Sequence, residues 1–262
     1  MNSPIDGRVH FSFRQDFAAL NMIWRRDLIR LSRDKAQITG SLARPLLWLV
    51  VLGFGMGSAF SGVGGNSYVE YLFPGIVGLN LLYAAFLSAI SIIWDREFGF
   101  LKEMVVAPIS RTSIALGKVI SGSLVACLQG GLVLAFIPFI GVHIGFHRLL
   151  LGIPFMFLLA FSITALGLLI ASRMTFFEGF GTIANFVIMP MFFLSGALFP
   201  LTRVPVWLRF FSRVNPMTYG VDGLRAIFLG VHVRPLEVDA AVLALFAAVM
   251  VAGAIWSFSR RI

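Results

Sequence analysis

The chain carries little charge and almost no cysteine. Asp, Glu, Lys and Arg make up 13% of its 262 residues, about half the share of an ordinary soluble domain. A single cysteine, Cys127, excludes an intrachain disulfide. Only three of the 21 basic residues are lysine, so the net charge of +9 does not come from a lysine-rich nucleic-acid tail. In so apolar a chain, basic residues mark the flanks of membrane spans and meet anionic lipid. No nucleic-acid partner is expected. The first 44 residues hold no short apolar core followed by a small-residue cleavage site, so no secretory signal is read there.

Catalytic patterns are missing as well. A phosphate-binding loop needs G-x-x-x-x-G-K-[ST]. At Gly117-Lys118 the first glycine is replaced by Thr112 and the hydroxyl residue by Val119. The serines before Gly62, Gly122 and Gly196 have Ala59, Val119 and Phe193 two positions earlier, and the last apolar stretch has no histidine. A Gly-x-Ser-Gly intramembrane protease is therefore excluded, since a serine without a base is inert. His143 and His147 are four apart but have no nearby carboxylate, so no metal site is expected. No enzyme activity and no cofactor are expected in the chain itself.

What is abundant is apolar: 58% of residues are hydrophobic and the mean hydropathy is +0.91. All charged residues lie outside six stretches, 45–69, 71–94, 119–147, 149–172, 179–202 and 240–259. Each is long enough for a helix to cross the hydrocarbon core, which takes roughly 20 residues. The fold expected is an all-α integral membrane protein with six transmembrane helices, not a β-barrel of short alternating strands. No stretch contains a carboxylate, so a buried proton relay has no support, and any transport must draw its energy from elsewhere.

Eight basic residues, from Arg8 to Arg44, precede the first span and place the N-terminus in the cytoplasm. Six crossings return the C-terminus to the same side. The assignment puts fifteen basic residues inside and six outside. One segment resists it: 203–239 falls outside yet holds Arg203, Arg209, Arg213, Arg225 and Arg234. It reads as two short re-entrant or interfacial helices, Val206 to Val214 and Met217 to Leu229, broken at Asn215-Pro216 and stopped at Gly230.

Residues 11–33 form an amphipathic helix with Phe13, Phe17, Leu20, Trp24, Leu28 and Leu31 on one face. Such a helix lies in the membrane interface or packs against protein. Gly53 and Gly57, then Gly122, Ala126 and Gly130, recur four apart and predict close helix seams.

Residues 95–118, DREFGFLKEMVVAPISRTSIALGK, join a charged start and a glycine to an amphipathic turn, then A-P-I-S-R and L-G-K opening the next span. With NFVIMPMFFLSGALFP at 185–200 and VNPMTYGVDGLRAIFLG at 214–230, the chain resembles the second type of ABC export permeases. These include exporters of daunorubicin-type drugs, nodulation factors, polysaccharides and lipids. The resemblance covers the whole chain as one transmembrane domain, 1–262, with a cytoplasmic or interfacial segment at 1–44, a coupling loop at 95–118 and an outer segment at 203–239.

The resemblance implies a cytoplasmic (inner) membrane protein that works with a second copy of itself and with separate soluble ATPase subunits, which would bind ATP and Mg. It implies that the loop after span two is the coupling helix, seated in a groove of the ATPase: Asp95, Arg96, Glu97, Phe98, Gly99, Leu101, Lys102, Glu103 and Pro108. The residues agree, because Phe98, Leu101 and Val105 form an apolar face rimmed by charge, as groove binding requires. A plain loop with solvated charges is the alternative.

Family architecture also suggests that spans two and five face the partner copy. On them, Asn80, Tyr83 and Phe86, with Asn185, Met189, Phe192 and Phe193, recur at helical spacings. As a cargo path, such a lining suits a hydrophobic or amphipathic compound, such as a drug, natural product or lipid, better than an ion. Ordinary span packing would use the same positions. The expected function is the permease subunit of an ATP-driven exporter of such compounds. The alternatives are export of a polysaccharide or lipid-linked glycan, or an ATPase-independent channel or scaffold.

Overall fold

In a computed structural model of the chain, which describes residues 13–56, 67–97, 111–140, 144–174, 177–201 and 204–261, every element is helical. In order these are α1 (Phe13–Arg33), α2 (Lys35–Met56), α3 (Tyr68–Ser88), α4 (Ile90–Glu97), α5 (Arg111–Leu134) and α6 (Ile137–Ile140). They continue with α7 (Phe146–Ser172), α8 (Phe177–Phe193), α9 (Val206–Val214), α10 (Pro216–Leu229) and α11 (Leu236–Arg261).

Among the described residues, five stretches are long and apolar enough to cross a membrane: Lys35–Gly53, Tyr68–Asp95, Thr112–Leu134, Phe146–Ser172 and Leu236–Ser257. Six long crossings are expected from the sequence; the remaining stretch instead forms a shorter apolar helix, α8, of 17 residues. At 1.5 Å per residue α8 rises about 25 Å, slightly less than the hydrocarbon thickness.

α3 forms the centre. Its sequence is apolar on every side, and a helix of that kind stays ordered only when it is covered all round. Leu72, Phe73, Ile76, Val77, Leu81, Leu82, Ala85 and Phe86 are buried, with α2, α5, α7, α8 and α10 packed about them. Its start is fixed by a capping box: the Glu70 N–H donates to the Ser67 hydroxyl and the Ser67 N–H to the Glu70 carboxylate at 3.0 Å. α11 closes the bundle against α7 and α10. α1 packs along α5 of its own chain, with Leu31 buried and Met22 and Ile29 exposed. The apolar stripe therefore has a protein partner; the side chains of Phe13, Phe17 and Leu20 lie outside the described residues.

The predicted seam on α5 is present. A Cβ on Gly122 would stand 2.3 Å from the Ser88 hydroxyl and 2.8 Å from Thr164, and one on Gly130 would meet Met156 and Leu81. Ala126 between them is fully buried. α5 thus fits between α3 and α7 through residues without bulk. On α2, Gly53 faces Val69 at 3.1 Å, and Gly57 is outside the described residues.

The 203–239 segment folds as its sequence dictates. α9 and α10 meet at Asn215, whose side chain accepts from the Met217 N–H at 3.0 Å, with Pro216 opening α10. Gly230 ends α10 with φ 74°, a conformation that suits glycine. The stretch 179–202 is not helical throughout, because α8 stops at Phe193 and the chain turns at Gly196, φ 78°. The freed carbonyls are taken up by other elements. Asn215 Nδ2 donates to the Met191 carbonyl at 2.7 Å, the Thr218 hydroxyl to Leu194, the Tyr68 hydroxyl to Leu198, and the Tyr71 hydroxyl and Arg225 Nη2 to Gly196.

This accounts for part of the arginine excess there. Arg225 is buried with its guanidinium 3.9 Å from the centre of the Tyr71 ring. Arg234 pairs with Asp222 at 3.7 Å and lies over Tyr219. These two are structural, whereas Arg209 and Arg213 are exposed and Arg203 lies outside the described residues.

Replacing Gly122 with valine should destabilise the bundle by about 1–3 kcal/mol through overpacking. Gly131→Val, on the same helix where a Cβ meets nothing within 4 Å, should be close to neutral. Melting temperatures of the two variants in one detergent check the difference; equal values would remove the seam.

Candidate coupling and cargo site

The expected coupling segment starts and ends in the described part of the chain, and its two ends are joined. Asp95, near the end of α4, and Lys118, in the second turn of α5, form an ion pair of 2.5 Å. Both side chains are withdrawn from solvent. Lys118 Nζ also donates to the Ser91 hydroxyl at 3.3 Å. From α1, Arg26 Nη2 approaches Asp95 at 3.7 Å and Asp27 at 3.2 Å. The Ser121 hydroxyl donates to Asp27 at 2.7 Å. Two cations and two carboxylates from α1, α4 and α5 so form one neutral, hydrogen-bonded group. Balance matters, since an ion taken from water is tolerated only with a well-placed partner.

Of the predicted coupling residues, Asp95 is in this group and Glu97 is exposed at the end of α4. The side chain of Arg96, and Phe98, Gly99, Leu101, Lys102, Glu103 and Pro108, lie outside the described residues.

The expected cargo-path residues separate into three sets. Asn80 and Tyr83 face α2: Asn80 Nδ2 donates to the Ser41 carbonyl at 2.6 Å, and the Arg44 guanidinium lies 4.3 Å from the centre of the Tyr83 ring. Phe86 and Phe192 are fully buried. Phe86 stacks on Phe180 at 5.4 Å and Phe192 meets Trp48 edge-on at 6.0 Å. Asn185, Met189 and Phe193 stand on the exposed side of α8, beside Phe186, which is 81% exposed. The two asparagines therefore do not share one surface within the protomer.

Asn80 and Tyr83 instead line a cavity of about 550 Å³, partly open, with walls from α1 to α5. Lys118, Gly122, Val125 and Gln129 give it one helical stripe from α5, and Arg30 and Arg44 stand in its wall. Sequence reading missed Asp27, Ser121 and Gln129. A signal existed for Asp27, which falls between Trp24 and Leu31 on the apolar face of α1. Gln129 is an amide inside a charge-free stretch. Among the described residues no cluster of three or more His, Cys, Asp or Glu could hold a metal, and His147 is exposed.

Lys118→Met leaves Asp95 short of its main partner, and breaking a buried pair from one side costs about 3–5 kcal/mol. The double variant Lys118→Met/Asp95→Leu should recover a large part of that loss. Unfolding of the three variants in detergent forms the cycle that tests the pair.

Residues 18–229 match the family described as ABC-2 type transporter. The chain is 32% identical over 215 residues to the putative transport permease ycf38 of Cyanophora paradoxa, covering 80% of this chain and 73% of that protein. It is 29% identical over 213 residues to nodulation protein J of Rhizobium leguminosarum bv. trifolii, covering 79% and 80%. With the inner membrane transport permease YadH of Escherichia coli K12 it shares 25% identity over 232 residues, 88% and 90% of the two chains. The family match takes in the helices that build the cavity and the Asp95–Lys118 pair as well as the turn at Gly196, and the chain belongs to the ABC-2 type transporter family as a transport permease.

Proposed function

We propose that this permease is the membrane subunit of an ATP-driven exporter of hydrophobic or amphipathic compounds. It acts as two copies in the cytoplasmic membrane with two separate ATPase subunits, which bind ATP and Mg. The observation that carries the coupling part is the Asp95–Lys118 pair. A segment that engages the ATPase must pass its displacement to the spans. A loop with free ends absorbs motion. This one has its ends locked to each other and, through Arg26 and Asp27, to α1. A push on 96–110 then moves α4, α5 and α1 together.

Cargo class follows from the walls. The cavity and the exposed face of α8 offer aromatic, methionine and amide side chains without an intramembrane acidic ring, a lining suited to amphiphiles. Asn185, Met189 and Phe193 project from the protomer, where a second copy would cover them. Both termini lie in the cytoplasm and α9–α10 on the outer side. The arginines at that end are fewer in electrostatic effect than in number, because Arg225 and Arg234 are engaged within the fold.

Replacing Glu97 and Phe98 together with alanine should remove cargo-stimulated ATP hydrolysis and weaken co-purification of the ATPase, while the permease still reaches the membrane. Unchanged association and hydrolysis would reject the coupling role. In a Cys127→Ala background, Arg209→Cys should react with an impermeant thiol reagent from outside intact cells, and Glu97→Cys only after the membrane is opened. The reverse pattern would invert the topology.

A further inference from the structure

The cavity between α1 and α5 is built more specifically than a packing defect. Its wall joins residues of three kinds. Two are exposed arginines, with the Arg30 guanidinium 4.7 Å from the centre of the Trp94 ring and that of Arg44 4.3 Å from Tyr83. A guanidinium held against a ring keeps its in-plane N–H donors free for an anion, in the planar geometry that matches phosphate or carboxylate. The acids nearby are already occupied. Asp27 accepts from Ser121 and pairs with Arg26, Asp95 holds Lys118, and Asp34 accepts from the Gln37 N–H at 2.9 Å. Leu79, Leu87 and Val125 make another part of the wall apolar.

At depth stands Gln129, 2% exposed, whose Nε2 has no hydrogen-bond partner. A buried amide donor left unpaired costs free energy, whereas the neighbouring Asn80 amide is satisfied by Ser41. Exposed anion donors, an apolar stretch of wall and a buried free amide donor describe one class of ligand.

We propose that this cavity binds one amphiphile, its anionic headgroup on Arg30 and Arg44, its acyl chain along Leu79, Leu87 and Val125, and an ester or acid carbonyl accepting from Gln129. The volume of about 550 Å³ is in the usual range of ligand sites, about 300–1,000 Å³, and holds one chain. The site lies inside one protomer, apart from the exposed face of α8. It requires neither a second copy nor ATP, so it stands independently of the export reading.

Native mass spectrometry of the full chain released from mixed nanodiscs tests it, with phosphatidylglycerol and phosphatidylcholine of identical chains in equal amounts. The wild type should keep one lipid per chain and prefer phosphatidylglycerol by about tenfold, because phosphatidylcholine would bring its trimethylammonium cation beside the two guanidiniums. Arg30→Gln/Arg44→Gln should abolish the preference but not the retention. Gln129→Leu should weaken both lipids alike. Gly40, in the cavity wall, has open space around its Cβ position, so Gly40→Phe should block the site and remove both lipids without loss of folding, judged by its melting temperature.

Lipid retention unchanged in Gly40→Phe would overturn the proposal. So would an unaltered preference in the arginine variant. Displacement of phosphatidylglycerol by equimolar inorganic phosphate would show a free-anion site instead of an amphiphile site.

Discussion

The pairing of Lys118 with Asp95 sets the geometry of everything at its end of the bundle. Lys118 is in the second turn of a helix that carries no further charge beyond it, and its ammonium is nearly closed off from water. A cation there must meet a carboxylate, and the one it meets is 23 positions earlier in the chain. That requirement brings the end of α4 against the start of α5. Arg26 and Asp27 extend it to α1, which makes an otherwise interfacial helix part of the folded unit. The chain between Asp95 and Lys118 is then held at its root whatever lies beyond.

The opposite end solves the complementary problem. There the unsatisfied groups are carbonyls, left when α8 stops and the chain turns through Gly196. In an apolar surrounding each needs an internal donor. The donors come from two directions, the tyrosines of the first turn of α3 and the polar side chains of α10. Arg225 joins both, donating to Gly196 while covering Tyr71. The arginines that contradicted a simple charge count are thus of two kinds. Exposed ones report on the surroundings of the segment, and Arg225 and Arg234 report on its packing.

Much of this was legible in the sequence because it depends on local rules. Helix positions followed from runs free of charge, the α9–α10 break from Asn215-Pro216, the stop at Gly230 from its tolerance of positive φ, and the α5 seam from small residues four apart. What was not legible depends on which faces meet. Asn80 and Asn185 look equivalent as amides in apolar runs, yet one is turned inward onto Ser41 and the other points out of the protomer. Spacing along a helix gives relative angle but not the direction of the neighbours. For the same reason the six-span count overstated α8: nothing in an apolar composition shows where a turn will consume the last residues of a run. Asp27 was overlooked because a single acid on an apolar stripe looks like an exception, when it is the residue through which the stripe is attached.

The two ends are joined by helices that both of them hold, α3 among them. At one end its tyrosines grip the Gly196 turn; at the other it leads into α4 and Asp95, with Ala89 alone between the two helices. Away from the cavity its middle is buried among close-packed neighbours, and packed interiors move as units because they have no space for gradual deformation. Under the coupling proposed above, a displacement applied at Asp95 would reach the far turn as a shift of α3. The cavity lies along that route, with Leu79, Asn80, Tyr83 and Leu87 of α3 in its wall. A molecule held there as proposed would touch α2, α3 and α5 at once, and so would rest against the helix that joins the two ends.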